Sequence, residues 1–280
     1  MSFDDAELDR IIAVALEEDL RYGPDATTEA TVPADAVAVA ELTPRKAGVL
    51  AGVPVAARVF RTVAPGLTIE STVEDGSPAV VGEPALVVRG DTRALLTAER
   101  TALNFLCHLS GIATATAAWA TAIEGTGTAV RDSRKTLPGL RFLAKYAVRC
   151  GGGVNHRMGL GDAVLIKDNH VVAAGSVANA LAAARAHAPR LPCEVEVDTL
   201  DQLDEALAAD AELVLLDNFS VAECAEAVRR ASGTTAKLEA SGGLTLDVAR
   251  AYAETGVDYL AVGGLTHSSP ALDLGMDLRA

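Results

Sequence analysis

From residue 128 to residue 262 the chain repeats one rhythm: a short apolar run, a turn, then a longer segment with apolar residues at every third or fourth position. Runs at 128–132, 153–156, 163–167, 193–198, 212–217, 236–240 and 257–262 read as strands, and segments 139–149, 176–187, 200–208, 220–231 and 245–255 as helices between them. Strands separated by helices pair in parallel through right-handed crossovers. Roughly seven such strands predict a closed or slightly incomplete (β/α) barrel. A doubly wound open sheet is the competing architecture, but no GxGxxG follows the first strand.

The first hundred residues have a different texture. Residues 4–20 read as an amphipathic helix with Leu8, Ile11, Ile12, Ala15 and Leu16 on one side. After the turn-rich "RYGPDATTEATVPAD" come "AVAVAEL", "AGVLAG", "LTIESTV" and "PALVVRG", short runs punctuated by Gly and Pro that predict an antiparallel sheet. Residues 93–122 carry a long helical pattern, expected to break near Gly111, that joins this smaller α+β domain to the alternating part.

With 280 residues, half of them apolar, the chain can bury a large core. Cys107, Cys150, Cys193 and Cys224 lie far apart without metal-ligand spacing, and read as reduced thiols in a cytoplasmic setting. The acidic start "MSFDDAELDRIIAVALEEDL" is unlike a secretory signal, and no apolar run approaches membrane-spanning length. A formal charge of −14 argues against nucleic acid as a partner.

That charge is unevenly spread. Residues 131–170 hold eight Lys/Arg against three acids, a net +5. A basic island in an acidic chain suits a small anionic ligand. Arg141, Lys145 and Arg149 have i, i+4 spacing and are assigned to a solvated helix face, which leaves Arg131, Arg134, Lys135, Arg157 and Lys167 as site candidates.

In a barrel the chemistry sits at the carboxyl ends of the strands. "CEVEVD" puts Glu194, Glu196 and Asp198 on one face, and the valines between them suit packing against helices, so the carboxylates face the interior. "LVLLDN" ends in Asp217, "KLEASGG" in Ser241, Gly242 and Gly243, and "YLAVGG" in Gly263 and Gly264. Buried carboxylates must be paired or hold a cation. The lower layer is expected to be structural, with Glu194 paired to Lys237, and the upper layer, Glu196 and Asp217, functional. Glycines after the last strands let backbone N–H groups approach a phosphate. The "GGG" at 151–153 is explained by a helix end followed by a strand. A phosphate cradle, a carboxylate pair suited to Mg²⁺ and a cluster of Arg, Lys and His together fit a sugar phosphate plus an acidic co-substrate. A Schiff-base aldolase using Lys135 or Lys167, and a non-enzymatic module binding phosphorylated sugars, are the rival classes.

The strings "RTALNFLCHLSGIAT" (100–114), "RDSRKTLPGLRFLAKYAV" (131–148), "GGGVNHRMGLGDAVLIKDNH" (151–170), "EVEVDTLDQLDEAL", "LLDNFS", "LEASGGL" and "GVDYLAVGGLTHS" occur in order at natural spacing. Together they closely resemble quinolinate phosphoribosyltransferases, the nicotinate-nucleotide pyrophosphorylases (carboxylating), with "DSRKT" replacing the usual "DTRKT" and keeping the hydroxyl. The resemblance implies an α/β fold: an N-terminal α+β sandwich over residues 1–112 followed by an incomplete (β/α) barrel over 113–280, with a C-terminal tail that packs back on the first domain. It implies that quinolinate and 5-phosphoribosyl 1-pyrophosphate give nicotinate mononucleotide, pyrophosphate and CO₂, in a homodimer or higher homo-oligomer. By the resemblance, Arg134, His156 and Arg157 contact the quinolinate carboxylates, and Arg100 is supplied by a neighbouring subunit. Lys135 and Lys167 stand between substrate and pyrophosphate. Glu196 and Asp217 lie near the ribose and an Mg²⁺ ion held mostly through pyrophosphate and water, while Ser241, Gly242, Gly243, Gly263 and Gly264 form the phosphate loops. A paralogue with a different acceptor base is the nearest alternative. His170 and Glu239 are left without a role.

Overall fold

The computed structural model describes residues 4–279. In chain order the elements are α1 (Asp5–Leu20), α2 (Ala26–Thr31), β1 (Val37–Pro44), β2 (Gly48–Val49), α3 (Val53–Val63), β3 (Thr68–Thr72), β4 (Pro78–Ala79), β5 (Leu86–Asp91) and α4 (Thr92–Ala122). There follow β6 (Ala129–Arg131), α5 (Arg141–Cys150), β7 (Val164–Ile166), α6 (Asp168–Ala174), α7 (Val177–His187), β8 (Cys193–Val197) and α8 (Leu200–Ala208). The chain ends with β9 (Leu213–Asp217), α9 (Val221–Ala231), β10 (Lys237–Ser241), α10 (Ala249–Ala253), β11 (Tyr259–Ala261) and β12 (Leu274–Arg279). These form two compact units. The first comprises the described residues up to Ala115, Leu137–Gly152 and the tail from Ser268; the second comprises Thr116–Thr136 and Gly153–His267.

The first unit is built on a four-stranded antiparallel sheet in the order β12-β1-β5-β3. The period of two in β1 buries Ala38, Ala40 and Leu42 on one face. Helix α3, which the β-branched string "VPVAARVFRTV" disguises, was not expected from the sequence pattern. Pro54 occupies its first turn, where no N–H is needed. The Asp75 carboxylate accepts from Gly52 N at 2.8 Å and Val53 N at 3.0 Å, which satisfies two backbone donors at the helix start. Tyr146 O–H, on α5, donates to the same carboxylate at 2.7 Å. Burial and this anionic acceptor push the phenol pKa upward.

Two expectations fail in this unit. Helix α4 runs unbroken through Gly111. A Cβ there would lie 2.2 Å from Pro270 O, so the glycine admits the tail backbone rather than breaking the helix. Lys145, assigned to a solvated face by its spacing, is 0% exposed. Charge spacing along a helix identifies a face but not what packs against it.

The second unit is a six-stranded parallel sheet in the order β6-β11-β10-β9-β8-β7. Each strand from β7 to β11 adds on the same side of its predecessor, whereas a doubly wound sheet reverses direction. The first strand, β6, then lies beside the last, β11. That wrap-around is the connectivity of a barrel with a gap between β6 and β7. The run expected as a strand at 153–156 contributes one bridge, Val154 to Arg131, on the gap side of β6. Inside the sheet Val195, Val197, Val214, Leu216, Leu238 and Leu260 are buried, each contributing about 1.5–3 kcal/mol by leaving water. No described helix is long and apolar enough to cross a membrane.

Candidate active site

Six loops leave the carboxyl ends of the parallel strands and carry most of the expected residues. Lys167 follows β7, and its Nζ lies 2.6 Å from Oε2 of Glu196, the penultimate residue of the adjacent β8. Asp217 ends β9 beside Ser241, which ends β10 in register with it. Asn218 adopts a left-handed conformation (φ 57°), which asparagine tolerates better than most residues. Its N–H donates to Ser241 O at 2.9 Å, and its side-chain amide donates to Asp217 Oδ2 at 2.8 Å. This turn makes Gly242 obligatory, since it has φ 93° and a Cβ would meet Asn218 Oδ1 at 2.2 Å.

Gly243, at φ 60°, faces open space. Gly263 and Gly264 open a 3₁₀ turn whose Thr266 hydroxyl donates to Lys135 O at 2.9 Å. A Cβ on Gly263 would touch the Lys135 side chain at 3.0 Å. Lys135 itself is exposed and makes no ion pair among the described residues.

A second charged group lies deeper. His156 Nε2 is 2.7 Å from Glu194 Oε2, and Arg131 Nη1 is 2.6 Å from Glu239 Oε2. Glu194 therefore pairs with His156 and not with Lys237, which instead reaches Tyr259 O–H at 3.3 Å. Burial, then the neighbouring Glu194 charge, pushes the Glu239 carboxyl up to about 7, with Arg131 pulling against them. Ligand atoms of His156, Glu194 and Glu239 lie within 4.8 Å of one another. His156 Nε2 is taken by Glu194 and one Glu239 oxygen by Arg131, while Glu194 Oε1 and Glu239 Oε1 are buried without a hydrogen-bond partner among the described residues. The role left open for Glu239 is thus to hold Arg131. His170 accepts from Lys167 N at 2.9 Å through Nδ1, which caps the short helix α6.

Arg157 separates from the rim. Its Nη1 donates to Ala163 O at 3.1 Å, just before β7 begins, and its Nε is buried without a partner among the described residues. It lines a cavity of about 380 Å³ at the amino ends of β7 to β10, with Arg131, His156, Glu194, Glu212 and Lys237. Burial and the nearby Arg134 charge both lower the Arg157 pKa. The Asp162 and Glu194 carboxylates pull the other way. Arg100 stands exposed on α4 in the first unit.

Asp132 was overlooked in the sequence. It is fully buried at the end of β6, where Oδ1 accepts from His156 N at 2.8 Å and Oδ2 from Asn155 Nδ2 at 2.5 Å. The signal available was its position: an acid directly after a barrel strand.

Glu196 and Asp217 are the rim carboxylates that could hold an Mg²⁺ ion, were it to keep several waters. Among the described residues each carboxylate gives one oxygen to a protein donor and has the other uncommitted.

The family model of the quinolinate phosphoribosyl transferase C-terminal domain matches residues 112–277, and that of the N-terminal domain matches residues 25–110. The nicotinate-nucleotide pyrophosphorylase (carboxylating) of Mycobacterium leprae is 59% identical over 268 residues, covering 94% of each chain. A probable enzyme of the same name from Bacillus subtilis is 40% identical over 240 residues, 85% of this chain and 83% of the relative. Among solved structures, NadC from Streptococcus pyogenes superposes with a TM-score of 0.95 at 40% identity, covering 100% of this chain and 99% of that one. The nicotinate-nucleotide pyrophosphorylase of Francisella tularensis gives 0.95 at 38% identity, over 99% and 98% of the two chains. With both domain models matched in order and relatives this similar along almost its whole length, the chain belongs to the quinolinate phosphoribosyltransferase family.

Proposed function

We propose that this chain joins quinolinate to 5-phosphoribosyl 1-pyrophosphate, giving nicotinate mononucleotide, pyrophosphate and CO₂ in NAD biosynthesis. What supports the reading is the rim at the strand ends, where Lys167 lies beside Glu196, Lys135 beside Gly263 and Asp217 in register with Ser241, together with Arg134 and Arg157, which the family resemblance assigns to the quinolinate carboxylates. Guanidinium forks match carboxylates in a bidentate way, so a planar ring with two adjacent carboxylates is a fitting ligand. The pyridine nitrogen is itself the nucleophile. The protein therefore supplies position and charge rather than a covalent intermediate.

Breaking the bond from ribose C1 to pyrophosphate builds positive charge on the sugar and negative charge on the leaving group. Lys135 and Lys167, at the rim, would hold the pyrophosphate side, and Glu196 and Asp217 the cationic sugar. Mg²⁺, when bound near Glu196 and Asp217, would supply further charge to the leaving pyrophosphate. The backbone N–H groups around Ser241, Gly242, Gly243, Gly263 and Gly264 would receive the 5-phosphate. Once ribosylated, the ring nitrogen is cationic and accepts the electron pair released as the adjacent carboxylate leaves as CO₂; a proton then takes its place. We place the enzyme in the cytoplasm as a homodimer or higher homo-oligomer, with Arg100 of one subunit completing the quinolinate pocket of another.

The test is an assay with quinolinate, phosphoribosyl pyrophosphate and Mg²⁺ in which CO₂ and nicotinate mononucleotide are both followed. Equal release of the two is expected. Turnover of a different base with none of quinolinate would assign the chain to another acceptor.

A further inference from the structure

His156 is held through both ring nitrogens by the protein itself. Arg157 N donates to His156 Nδ1 at 2.7 Å, so Nδ1 carries no proton. The neutral ring then keeps its proton on Nε2, which lies 2.7 Å from Glu194 Oε2. Glu194 is accordingly the acceptor, and its other oxygen, buried, has no hydrogen-bond partner among the described residues. On the opposite side Asp132 accepts from His156 N and from Asn155 Nδ2. The main chain from Asn155 to Arg157 is thus fixed at several points, and each leads back to a buried carboxylate.

We infer that Glu194 is a positioning residue: it selects the His156 tautomer, and that tautomer anchors the backbone from which Arg157 meets the substrate. The inference rests on the reading of Arg157 as a quinolinate contact. Its physical basis is the proton count. Without an acceptor at Glu194, the ring proton is free to move to Nδ1, which would set two donors face to face at Arg157 N. The loop would have to shift, and a displacement of about 1 Å at a binding group costs up to ~100-fold in rate. Gln at the same position keeps an acceptor oxygen and should keep the tautomer.

Nitrogen-15 NMR of the full chain labelled at histidine reads the tautomer directly, with His156 assigned by its loss in His156→Gln. The Nε2–H form is expected in the wild type and in Glu194→Gln, with an Nδ1–H population appearing in Glu194→Ala. In kinetics, Glu194→Ala should raise the quinolinate KM about tenfold while the phosphoribosyl pyrophosphate KM stays within about twofold, and Glu194→Gln should recover most of the loss. An Nδ1–H form or an imidazolium in the wild type overturns the inference whether or not the alanine variant folds. So does a Gln variant as impaired as the Ala variant, or an Ala variant with wild-type constants. If the wild type shows the expected tautomer but no quinolinate turnover, the substrate reading fails and the link to Arg157 as a substrate contact falls with it, while the tautomer lock stands.

Discussion

Lys167 Nζ and Glu196 Oε2 meet at 2.6 Å across adjacent strands, with the lysine side chain 48% exposed and the glutamate 10%. An ion pair so open to water stabilises a fold by only about 0.2–1 kcal/mol. Its value lies in aiming an ammonium group across the strand ends. Lys167→Ala is therefore expected to lower kcat/KM at least ~100-fold, as loss of one charged transition-state contact does. The melting temperature should fall by no more than about 2–4 °C. A large melting shift with modest kinetic loss would make the pair structural.

Arg134→Ala and Arg157→Ala should raise the quinolinate KM by one to two orders of magnitude, following the roughly 1.5–3 kcal/mol of a hydrogen bond to a charged group. Burial and the Arg134 charge disfavour the Arg157 cation while Asp162, Glu194 and the bond to Ala163 O favour it, so removing Arg157 should change the stability of the ligand-free protein little. Thermal shift with and without quinolinate separates the two effects. Equal stabilisation by quinolinate in wild type and variants would remove these arginines from the pocket.

The two glycines after β10 should behave differently. Gly242→Ala places a Cβ against Asn218 and forces a left-handed backbone, with an expected destabilisation of about 1–3 kcal/mol and loss of activity. Gly243→Ala meets open space and costs only the backbone strain, about 1 kcal/mol, so its main effect should be on the KM for phosphoribosyl pyrophosphate. Chemical denaturation beside steady-state kinetics distinguishes them.

Glu239 gives the folded chain a pH dependence of definite sign. Its carboxyl is raised from 4.5 to about 7, so between those values the native state keeps a proton that the unfolded chain releases. That contribution to stability is full below pH 4.5 and is lost as pH rises toward about 7. Glu239→Gln should flatten the decline in melting temperature across this window. An unchanged slope would place the titration elsewhere.

Arg100 supplies the test of assembly. Mixing Arg100→Ala with Lys135→Ala should restore up to about one quarter of wild-type activity by random exchange, if each pocket draws on two chains. No recovery after verified subunit exchange would exclude the shared site.

Much of this protein is legible in its sequence because local periodicity reports local structure. The strand–helix alternation, the shared face of Glu194 and Glu196, and the glycines closing β10 and β11 follow from period two, period 3.6 and the geometry of tight turns. Helix α3 escaped because its start is capped by Asp75, far along the chain. Gly111 looked like a break because its reason, the backbone at Pro270, is remote as well. The same holds for charge. Only the fold could decide that Glu194 takes His156, that Glu239 takes Arg131, and that Lys145 is buried. A side chain's partner is set by which strands become neighbours, and the residues themselves do not encode that at short range.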